Sequence, residues 1–335
     1  MESGRQMNLG EIARNRLPIL ALPILALIVA FLALLAVPQA SIAAAAPATE
    51  TSAAAPAAAE AAPADAATYT PLEAPEWIRG QPVDGGIDFQ PQYSPDGDYA
   101  YGMHTYVLMP IITAVSLFVL GLLLWVVVRY RRSRNPVPSK TSHNTVIEVI
   151  WTVVPVLILV AIAIPSITLL ARQYDSPPED ALTIKVTGYQ WYWGYTYPDN
   201  GGFEVISNML SEEEAEARGE PSHLGVDNRM VVPVGETLRI QVIGADVIHA
   251  FAVPSLWFKI DAVPGRINER TMFVREPGIY YGQCSELCGV RHGYMPIAIE
   301  AVPRAQYEAW VRSEGGTLPG EAPAPAPAPA PADEA

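Results

Sequence analysis

The sequence predicts a two-helix transmembrane hairpin followed by an all-β sandwich, and two patterns carry that prediction. Two apolar runs, residues 106–128 and 149–171, each have about the length that a bilayer-spanning helix needs. After residue 181 the pattern changes to short stretches of alternating apolar and polar residues, separated by Gly, Pro and Asp. Many short strands without long helices favour a sandwich or a barrel.

The N-terminal region reads as an export signal and a linker. Residues 1–43 combine an arginine-containing start, an apolar run of about 20 residues and the small-residue pattern Ser41-Ile42-Ala43. We therefore predict a signal peptide that is removed, and because the run is long enough to span a bilayer, retention as an anchor stays open. Residues 44–104 are predicted to be an Ala/Pro-rich disordered segment and an extracytoplasmic lead-in to the membrane.

Residues 105–172 form the predicted hairpin, and its connecting loop sets the orientation. By the positive-inside rule a short basic loop stays in the cytoplasm, so both flanking segments lie outside. Glu148 lies at the cytoplasmic start of the second helix, where its position alone favours an ordinary interfacial carboxylate. A proton-conducting role is the alternative. The basic residues of the loop are Arg129, Arg131, Arg132, Arg134 and Lys140.

Residues 173–314 are predicted to form the extracytoplasmic domain. Residues 182–187, 239–243 and 295–300 alternate as half-buried strands do. The acid-rich residues 211–220 suit a surface insertion, and residues 304–312 suit a short closing helix. Residues 315–335 are predicted to be a disordered Ala/Pro tail.

Charge narrows the choice of partners. The chain has 35 acidic and 21 basic side chains, and residues 172–335 hold 23 of the acidic ones against 12 basic. A nucleic-acid partner is disfavoured because phosphate binding needs a positive face. A basic protein partner is favoured, although an acidic surface also serves solubility alone.

The only two cysteines lie in a stretch that is rich in soft metal ligands. Cys284 and Cys288 are followed by His292 and Met295, so two thiols, an imidazole and a thioether fall within a short segment. Copper prefers this mixture of ligands. Two cysteines in an exported domain also commonly form a disulfide, and the downstream His and Met argue against that alternative.

His249 supplies the distant ligand that such a segment needs. It follows the predicted strand 239–243, and cupredoxin copper sites combine one early His with a late Cys, His and Met. Here one further Cys is present. Two coppers bridged by both sulfurs leave one His for each metal, with Met295 and a backbone carbonyl as weak outer ligands. The ligand count therefore predicts a dinuclear site.

The string Cys284-Ser285-Glu286-Leu287-Cys288-Gly289, followed by His292 and Met295, closely resembles the dinuclear copper (CuA) motif of cytochrome c oxidase subunit II. The resemblance is to the bacterial type, covers about residues 106–311 and includes the transmembrane hairpin. It also includes the strings Gln190-Trp191-Tyr192-Trp193, Asp227-Asn228-Arg229, Asp246-Val247-Ile248-His249 and Val263-Pro264-Gly265-Arg266.

This resemblance implies the fold and the metal ligands. The extracytoplasmic domain would be a cupredoxin-like Greek-key sandwich. The side chain of Glu286 would reach a magnesium ion shared with subunit I. Two copper ions would be bound by the side chains of His249, Cys284, Cys288, His292 and Met295, and by the backbone carbonyl of Glu286.

The resemblance also implies roles for residues that bind no copper. Trp191 matches the aromatic residue that accepts electrons from cytochrome c, whereas the residue pattern alone favours a buried strand aromatic. Glu148 matches the carboxylate at the mouth of the K proton channel, which reverses the preference from position alone. An acid is common in the family where this chain has Thr196, so the docking surface differs in detail. The acids matching the cytochrome c docking surface are Asp199, Asp227 and Asp246.

The implied function is that of subunit II of a haem-copper cytochrome c oxidase. The chain would accept electrons from cytochrome c and pass them to the haem-bearing subunit I, where oxygen is reduced to water with proton pumping. The implied partners are subunits I and III, cytochrome c and membrane lipid. The implied location is the bacterial inner membrane, with the C-terminal domain in the periplasm.

Three other protein classes share part of this pattern. A quinol oxidase subunit II shares the hairpin and sandwich but lacks the copper ligands that are present here. A copper-delivery module would use Cys284 and Cys288 as a redox-active dithiol, which leaves His249, His292 and Met295 without a purpose. Nitrous oxide reductase has a similar copper motif but lacks the membrane hairpin.

Overall fold

A computed structural model describes residues 68–137 and 139–321 of the chain. The predicted signal peptide, the Ala/Pro-rich residues 44–67 and residues 322–335 of the predicted tail lie outside the described residues. Within the described part there are two compact units. One comprises residues 102–164, and the other combines residues 68–101 with residues 165–321.

Two long helices carry the apolar runs. Helix α1 (Pro95–Gly102) continues through a π-helical turn (Met103–Leu108) into α2 (Met109–Arg129), and α3 spans Thr145–Gln173. Both helical stretches are long and apolar enough to cross a membrane, and most of their large apolar side chains are exposed. The first helical stretch begins ahead of the predicted apolar run. A hydropathy pattern does not detect α1, because this helix is polar and contains two aspartates.

The residues after α3 form two β-sheets that also include one strand from ahead of the membrane helices. The six-stranded sheet has the order β5-β11-β10-β7-β8, with β1 paired to β10, and the five-stranded sheet has the order β4-β3-β2-β6-β9. The strands are β1 (Ile78–Gly80), β2 (Leu182–Tyr189), β3 (Tyr192–Thr196), β4 (Glu204–Ser207), β5 (Met230–Pro233), β6 (Thr237–Gly244), β7 (His249–Val253), β8 (Phe258–Ala262), β9 (Asn268–Phe273), β10 (Gly278–Cys284) and β11 (Pro296–Val302). Two short helices complete the unit, α4 (Glu212–Ala217) and α5 (Arg304–Ser313).

The two sheets share one core, as a sandwich requires. Strict alternation in β6 buries every second side chain, which is the pattern of a sheet with one inner face. Alternate aromatic residues from β3 onward, Trp193, Tyr195 and Tyr197, are fully buried. The Trp193 ring meets Phe251 of the other sheet edge to face, with ring centroids 5.4 Å apart. The predicted sandwich is therefore confirmed.

Strand β11 is buried along its whole length because both of its faces are covered. Residues 68–80 lie over its outer face, where Leu72 and Trp77 pack in a small apolar cluster with Ala298. This segment ends in β1, which pairs in parallel with β10. Residues ahead of the membrane helices thus complete the sandwich, although the sequence assigned them to a linker.

The end of the described chain also packs on the sandwich. The Thr317 amide donates to the Asn200 carbonyl at 3.0 Å, and Leu318 packs against the main core. Residues 315–321 therefore belong to the folded unit, although the sequence assigned them to the tail. Their contacts come from residues distant in sequence, which no local pattern reveals.

Candidate metal centre

Two neighbouring strands bring the predicted ligands together. Cys284 is the last residue of β10 and His249 is the first residue of β7, and the two strands pair antiparallel through Cys284 and Phe251. The chain then turns through a short 3₁₀ helix, His292–Tyr294, and reaches Met295 immediately before β11. Because β11 pairs with β10, this loop folds back over Cys284.

The side chains converge at short distances. The Cys284 and Cys288 sulfurs are 3.9 Å apart, and each faces an imidazole Nδ1: His249 lies 3.9 Å from Cys284, and His292 lies 3.7 Å from Cys288. The Met295 thioether lies 3.5 Å from the Cys288 sulfur. The Glu286 carbonyl lies 3.3 Å from the Cys284 sulfur. All six groups that the sequence predicted as copper ligands therefore lie in one cluster.

These distances fit ligands that surround a common metal. Ligands held about 2.0–2.3 Å from a tetrahedral metal are separated from one another by about 3.3–3.8 Å. His249, Cys284 and Cys288 form a compact group of potential ligand atoms, and all three residues are buried. Both cysteines are free thiols, so the disulfide alternative is not the arrangement seen here.

The two thiols have different pKa values. Burial raises the pKa of Cys284, but hydrogen bonds with His249 and with the backbone of Glu286 and Ala250 outweigh it and lower that pKa to about 6. Burial and the adjacent Cys284 charge raise the pKa of Cys288 to about 12. Two negative sulfurs at this separation repel each other, so a bound cation would favour release of the second proton.

Contacts on both sides fix the orientation of His249. Its Nε2 lies 2.9 Å from the Asp246 carboxylate, which leaves Nδ1 facing Cys284. Burial lowers the pKa of His249, but Cys284 and Asp246 together raise it above its ordinary value. A Cβ on Gly188 would lie 2.9 Å from the imidazole, so only glycine leaves room for the ring. A carboxylate that orients a ligating imidazole in this way typically strengthens metal binding.

Trp191 lies against the loop that joins β10 to β11. Its indole N–H donates to the Cys288 carbonyl at 3.3 Å, and the Gln190 side-chain amide donates to the same oxygen at 2.8 Å. Gly289 adopts a positive φ of 124°, and a Cβ there would lie 3.0 Å from the Trp191 ring. A half-buried tryptophan thus contacts the backbone of a predicted metal ligand, Cys288.

The three predicted docking acids all accept backbone hydrogen bonds. Asp199 accepts from the Thr183 amide at 2.7 Å, and Asp227 accepts from the Asn208 amide at 2.7 Å. Asp246 accepts from the amides of Gln190 and Val247 as well as from His249. These hydrogen bonds hold each carboxylate, and so its charge, in position. The docking role of these acids remains a prediction.

Two other predicted residues have plain structural contacts. Glu148 accepts a hydrogen bond from the Asn144 amide at 3.0 Å, and Asn144 accepts from the first amides of α3, so together they cap that helix. The Glu286 side chain is exposed, whereas its carbonyl faces Cys284. The proton role of Glu148 and the magnesium role of Glu286 remain predictions.

Sequence reasoning missed two groups that support the site. Trp193 donates its indole N–H to the Met295 carbonyl at 3.1 Å, and Gln190 bonds to Cys288 as described. Both belong to the aromatic string that drew attention to Trp191. The available signal for Trp193 was the aromatic residue at every second position, 193, 195 and 197, which predicts inward-facing rings but does not reveal the acceptor.

A β-sandwich that follows two membrane-spanning helices and gathers two thiols, two imidazoles and a thioether defines the class: a membrane-anchored, cupredoxin-type protein with a soft-metal site. Comparison with known proteins identifies the family. The description "Cytochrome C oxidase subunit II, periplasmic domain" matches residues 182–302, and "Cytochrome C oxidase subunit II, transmembrane domain" matches residues 82–169.

Two relatives compared by sequence agree with this assignment, and one solved structure is reported after them. A probable cytochrome c oxidase subunit 2 of Rickettsia conorii is 50% identical over 240 residues, which cover 71% of this chain and 74% of that protein. The cytochrome c oxidase subunit 2 of Cereibacter sphaeroides is 42% identical over 257 residues, covering 72% of this chain and 84% of that protein. A crystal structure of the periplasmic domain of subunit II from Bradyrhizobium japonicum is 52% identical, with a TM-score of 0.39, covering 42% of this chain and 96% of that one.

The chain belongs to the cytochrome c oxidase subunit II family. As a subunit of cytochrome c oxidase it is part of an oxidoreductase. The family binds the CuA copper centre, and the cluster of thiols and imidazoles is the candidate for that site in this chain.

Proposed function

We propose that this chain accepts electrons singly from a cytochrome c at a dinuclear copper centre and passes them to the haem-bearing subunit I. There oxygen is reduced to water, and the reaction is coupled to proton pumping. The observation that supports the copper centre most directly is the convergence of two free thiols, each facing an imidazole Nδ1 within 4 Å.

The side chains of His249, Cys284, Cys288, His292 and Met295 would hold the coppers, with the Glu286 carbonyl. When bound, the copper pair would supply one-electron redox chemistry in which the charge is shared between two metals and the ligands move little. Two thiolates would balance part of the metal charge. Burial of Cys284, Cys288 and Met295 excludes water from the sulfur ligands.

Trp191 is the residue through which we propose that electrons arrive. It is half-buried, and its N–H contacts the Cys288 carbonyl directly, so the indole connects the surface with a ligand through one hydrogen bond. Replacing Trp191 with Leu should slow copper reduction by cytochrome c and leave the copper content unchanged. Loss of copper from that variant would make the residue structural instead.

The acidic surface is the proposed docking site for the basic rim of a cytochrome c. Hydrogen bonds with the backbone hold the charges of Asp199, Asp227 and Asp246 in place. Charges fixed in this way attract a positive partner without an entropic cost of ordering them. Association should weaken steeply as salt shortens the Debye length from about 30 Å to about 8 Å. A rate that does not depend on salt would contradict this role.

We place the β-sandwich in the periplasm of a bacterial inner membrane, with a cleaved signal peptide ahead of it and subunits I and III as neighbours. The basic loop between α2 and α3 supports that orientation. N-terminal sequencing of the mature chain tests the cleavage: a chain that begins at Met1 would contradict it.

Two further roles concern protons and magnesium. Glu148 would conduct protons at the cytoplasmic end of α3, so Glu148→Ala should slow oxygen turnover while copper reduction stays unchanged. Equal turnover would leave only its capping role. The exposed Glu286 side chain would bind magnesium at the boundary with subunit I, so Glu286→Gln should lower magnesium content in the assembled oxidase without loss of copper.

The decisive experiment measures copper in the full chain, purified in detergent. We expect two coppers per chain and an electron paramagnetic resonance spectrum of one unpaired electron shared by two equivalent copper nuclei. The full chain is required because residues 68–101 are part of the folded sandwich unit. A single copper with the spectrum of one nucleus would overturn the dinuclear proposal.

A further inference from the structure

Trp193 links the two sheets at the metal centre. It lies in β3 of the five-stranded sheet and is fully buried, yet its indole N–H donates to the carbonyl of Met295, immediately before β11 of the six-stranded sheet. The N···O distance is 3.1 Å. A buried indole N–H needs an acceptor, and this chain provides one on the backbone of a predicted metal ligand.

The hydrogen bond from Trp193 matters because the strand ladder does not hold Met295. The β10–β11 ladder begins at the pair Gln283 and Pro296, so Met295 lies just outside it. Its backbone, with φ −135° and ψ 71°, ends the 3₁₀ turn and does not continue a helix. The Trp193 bond therefore tethers Met295 where the strand ladder does not, and the Met295 thioether lies 3.5 Å from the Cys288 sulfur.

The same ring also limits the freedom of His249. The indole of Trp193 meets the imidazole in an edge-to-face contact, with centroids 5.9 Å apart and an angle of 63°. Gly188 also approaches the imidazole so closely that a Cβ there would lie 2.9 Å from the ring. Asp246 binds Nε2, so the ring is held by three separate groups.

We propose that Trp193 is a positioning residue for the metal centre: its N–H fixes the Met295 backbone, and its ring fixes the His249 imidazole. One side chain thus aligns one ligand from β7 with another from the loop before β11. The inference rests on the proposed copper function and goes beyond it, because it assigns the ligand geometry to a residue that binds no metal. Trp193 should control the electronic structure and the kinetic retention of copper, and not the number of coppers bound.

The test compares Trp193→Phe with Trp310→Phe in the full chain. Phe keeps an aromatic ring but deletes the N–H, and Trp310 is a similarly buried tryptophan in α5, away from the ligands. We expect Trp193→Phe to keep two coppers, to shift the visible absorption and copper hyperfine splitting, and to release copper to a chelator about tenfold faster. Trp310→Phe should match the wild-type protein in all three measurements.

A second variant tests the same inference if Trp193→Phe does not fold. Site-specific replacement of Trp193 by β-(3-benzothienyl)alanine keeps the ring size and replaces only the N–H, and it should shift the hyperfine splitting in the same direction. An unchanged spectrum and chelator rate in either folded variant, with two coppers bound, would overturn the inference alone. A wild-type chain with a single copper would instead overturn the proposed function, and the inference with it.

Discussion

The paired strands β10 and β11 carry two buried polar clusters that satisfy their charges in opposite ways. At one end lies the metal centre, with Cys284 and Met295. At the other end Glu300 of β11 binds Arg229, which also binds Glu220. Glu300 and Met295 are five residues apart in sequence, which is about 17 Å along a strand.

In the ion cluster, formed by Arg229, Glu220 and Glu300, groups of the protein itself provide the hydrogen-bond partners. Arg229 donates to Glu220 at 2.6 Å, to Glu300 at 2.7 Å and to the Leu72 carbonyl at 2.7 Å. The hydroxyls of Tyr69 and Tyr281 donate to the remaining carboxylate oxygens. Both carboxylates are almost fully buried, so removing the cation would leave them without a counter-charge.

The metal centre differs in this respect: among the described residues, no lysine or arginine hydrogen-bonds to either thiol. Burial, together with the neighbouring Cys284 charge, keeps the pKa of Cys288 high. The comparison shows that buried charged groups are accommodated in two different ways within one sandwich. A cluster with its own arginine stabilises the fold, whereas a cluster of thiols suits a cation from outside.

The first prediction breaks the metal centre and should have the largest effect. Cys288→Ser keeps the shape of the side chain but replaces a sulfur ligand with a hard hydroxyl, so the dinuclear spectrum should disappear and copper affinity should fall by more than about 100-fold. Copper per chain and the resonance spectrum report the outcome. Ser285→Ala, at an exposed neighbouring position, is the control and should bind copper as wild type does.

The second prediction breaks the ion cluster. Arg229→Leu leaves two buried carboxylates unpaired, which should lower the free energy of unfolding by about 3–5 kcal/mol. Guanidinium unfolding of the full chain in detergent, followed by tryptophan fluorescence, measures it.

Arg304→Leu is the matched control for that experiment. Arg304 binds Glu236 and Glu308, but its side chain is 41% exposed, so its loss should cost less than about 1 kcal/mol. Equal losses in the Arg229 and Arg304 variants would refute the distinction between a buried and an exposed cluster.

The third prediction weakens the metal centre without removing a ligand. Asp246→Ala frees His249 to rotate, so copper affinity should fall by about 10-fold to 100-fold. Competition with a chelator of known affinity measures the change. Asp261→Ala removes an exposed acid that lies on β8 and should have no effect on affinity. An Asp246 variant with wild-type affinity would mean that the other contacts of His249 suffice.

The smallest effect concerns a polar cluster at the surface. The hydroxyl and amide of Ser211 donate to Glu214, a capping box for α4, and they hold the pKa of Glu214 below its ordinary value. A lowered pKa in the folded state stabilises the protein above the unfolded-state pKa. That stabilisation is lost as the pH falls through the folded pKa, below about 4.5.

Glu214→Gln tests this acid dependence. The variant should lose the part of the acid destabilisation that belongs to the capping box, so its unfolding midpoint should change less than that of wild type between about pH 5 and about pH 3. Glu213→Gln, on the same helix but outside the box, should follow the wild-type curve. Superimposable curves for all three proteins would show that the box contributes nothing measurable.

Local sequence patterns predicted much of this molecule. Each apolar run fixed a membrane-spanning helix, because the bilayer sets its length and composition. Alternation fixed strands such as β6, and the chemistry of Cys284, Cys288, His292 and Met295 indicated a soft-metal site, because ligand type and spacing are properties of a short segment.

Other features depended on chain pairing over long distances. No pattern in residues 68–80 predicts that they cover β11, since the contact from Tyr69 to Glu300 spans 231 positions. The acids predicted for docking also accept backbone hydrogen bonds, and for Asp199 and Asp227 the donor amides lie 16 and 19 positions away.

The sequence by itself determined the candidate ligands and the membrane helices, since both follow from residue chemistry within short segments. Only the tertiary structure decided which groups orient those candidate ligands. The bond from Trp193 to Met295 joins two sheets across 102 positions, and the Asp246 contact selects the nitrogen of His249 that faces the thiol. Orientation inside a core is a property of packing, and packing is settled only when the strands have paired.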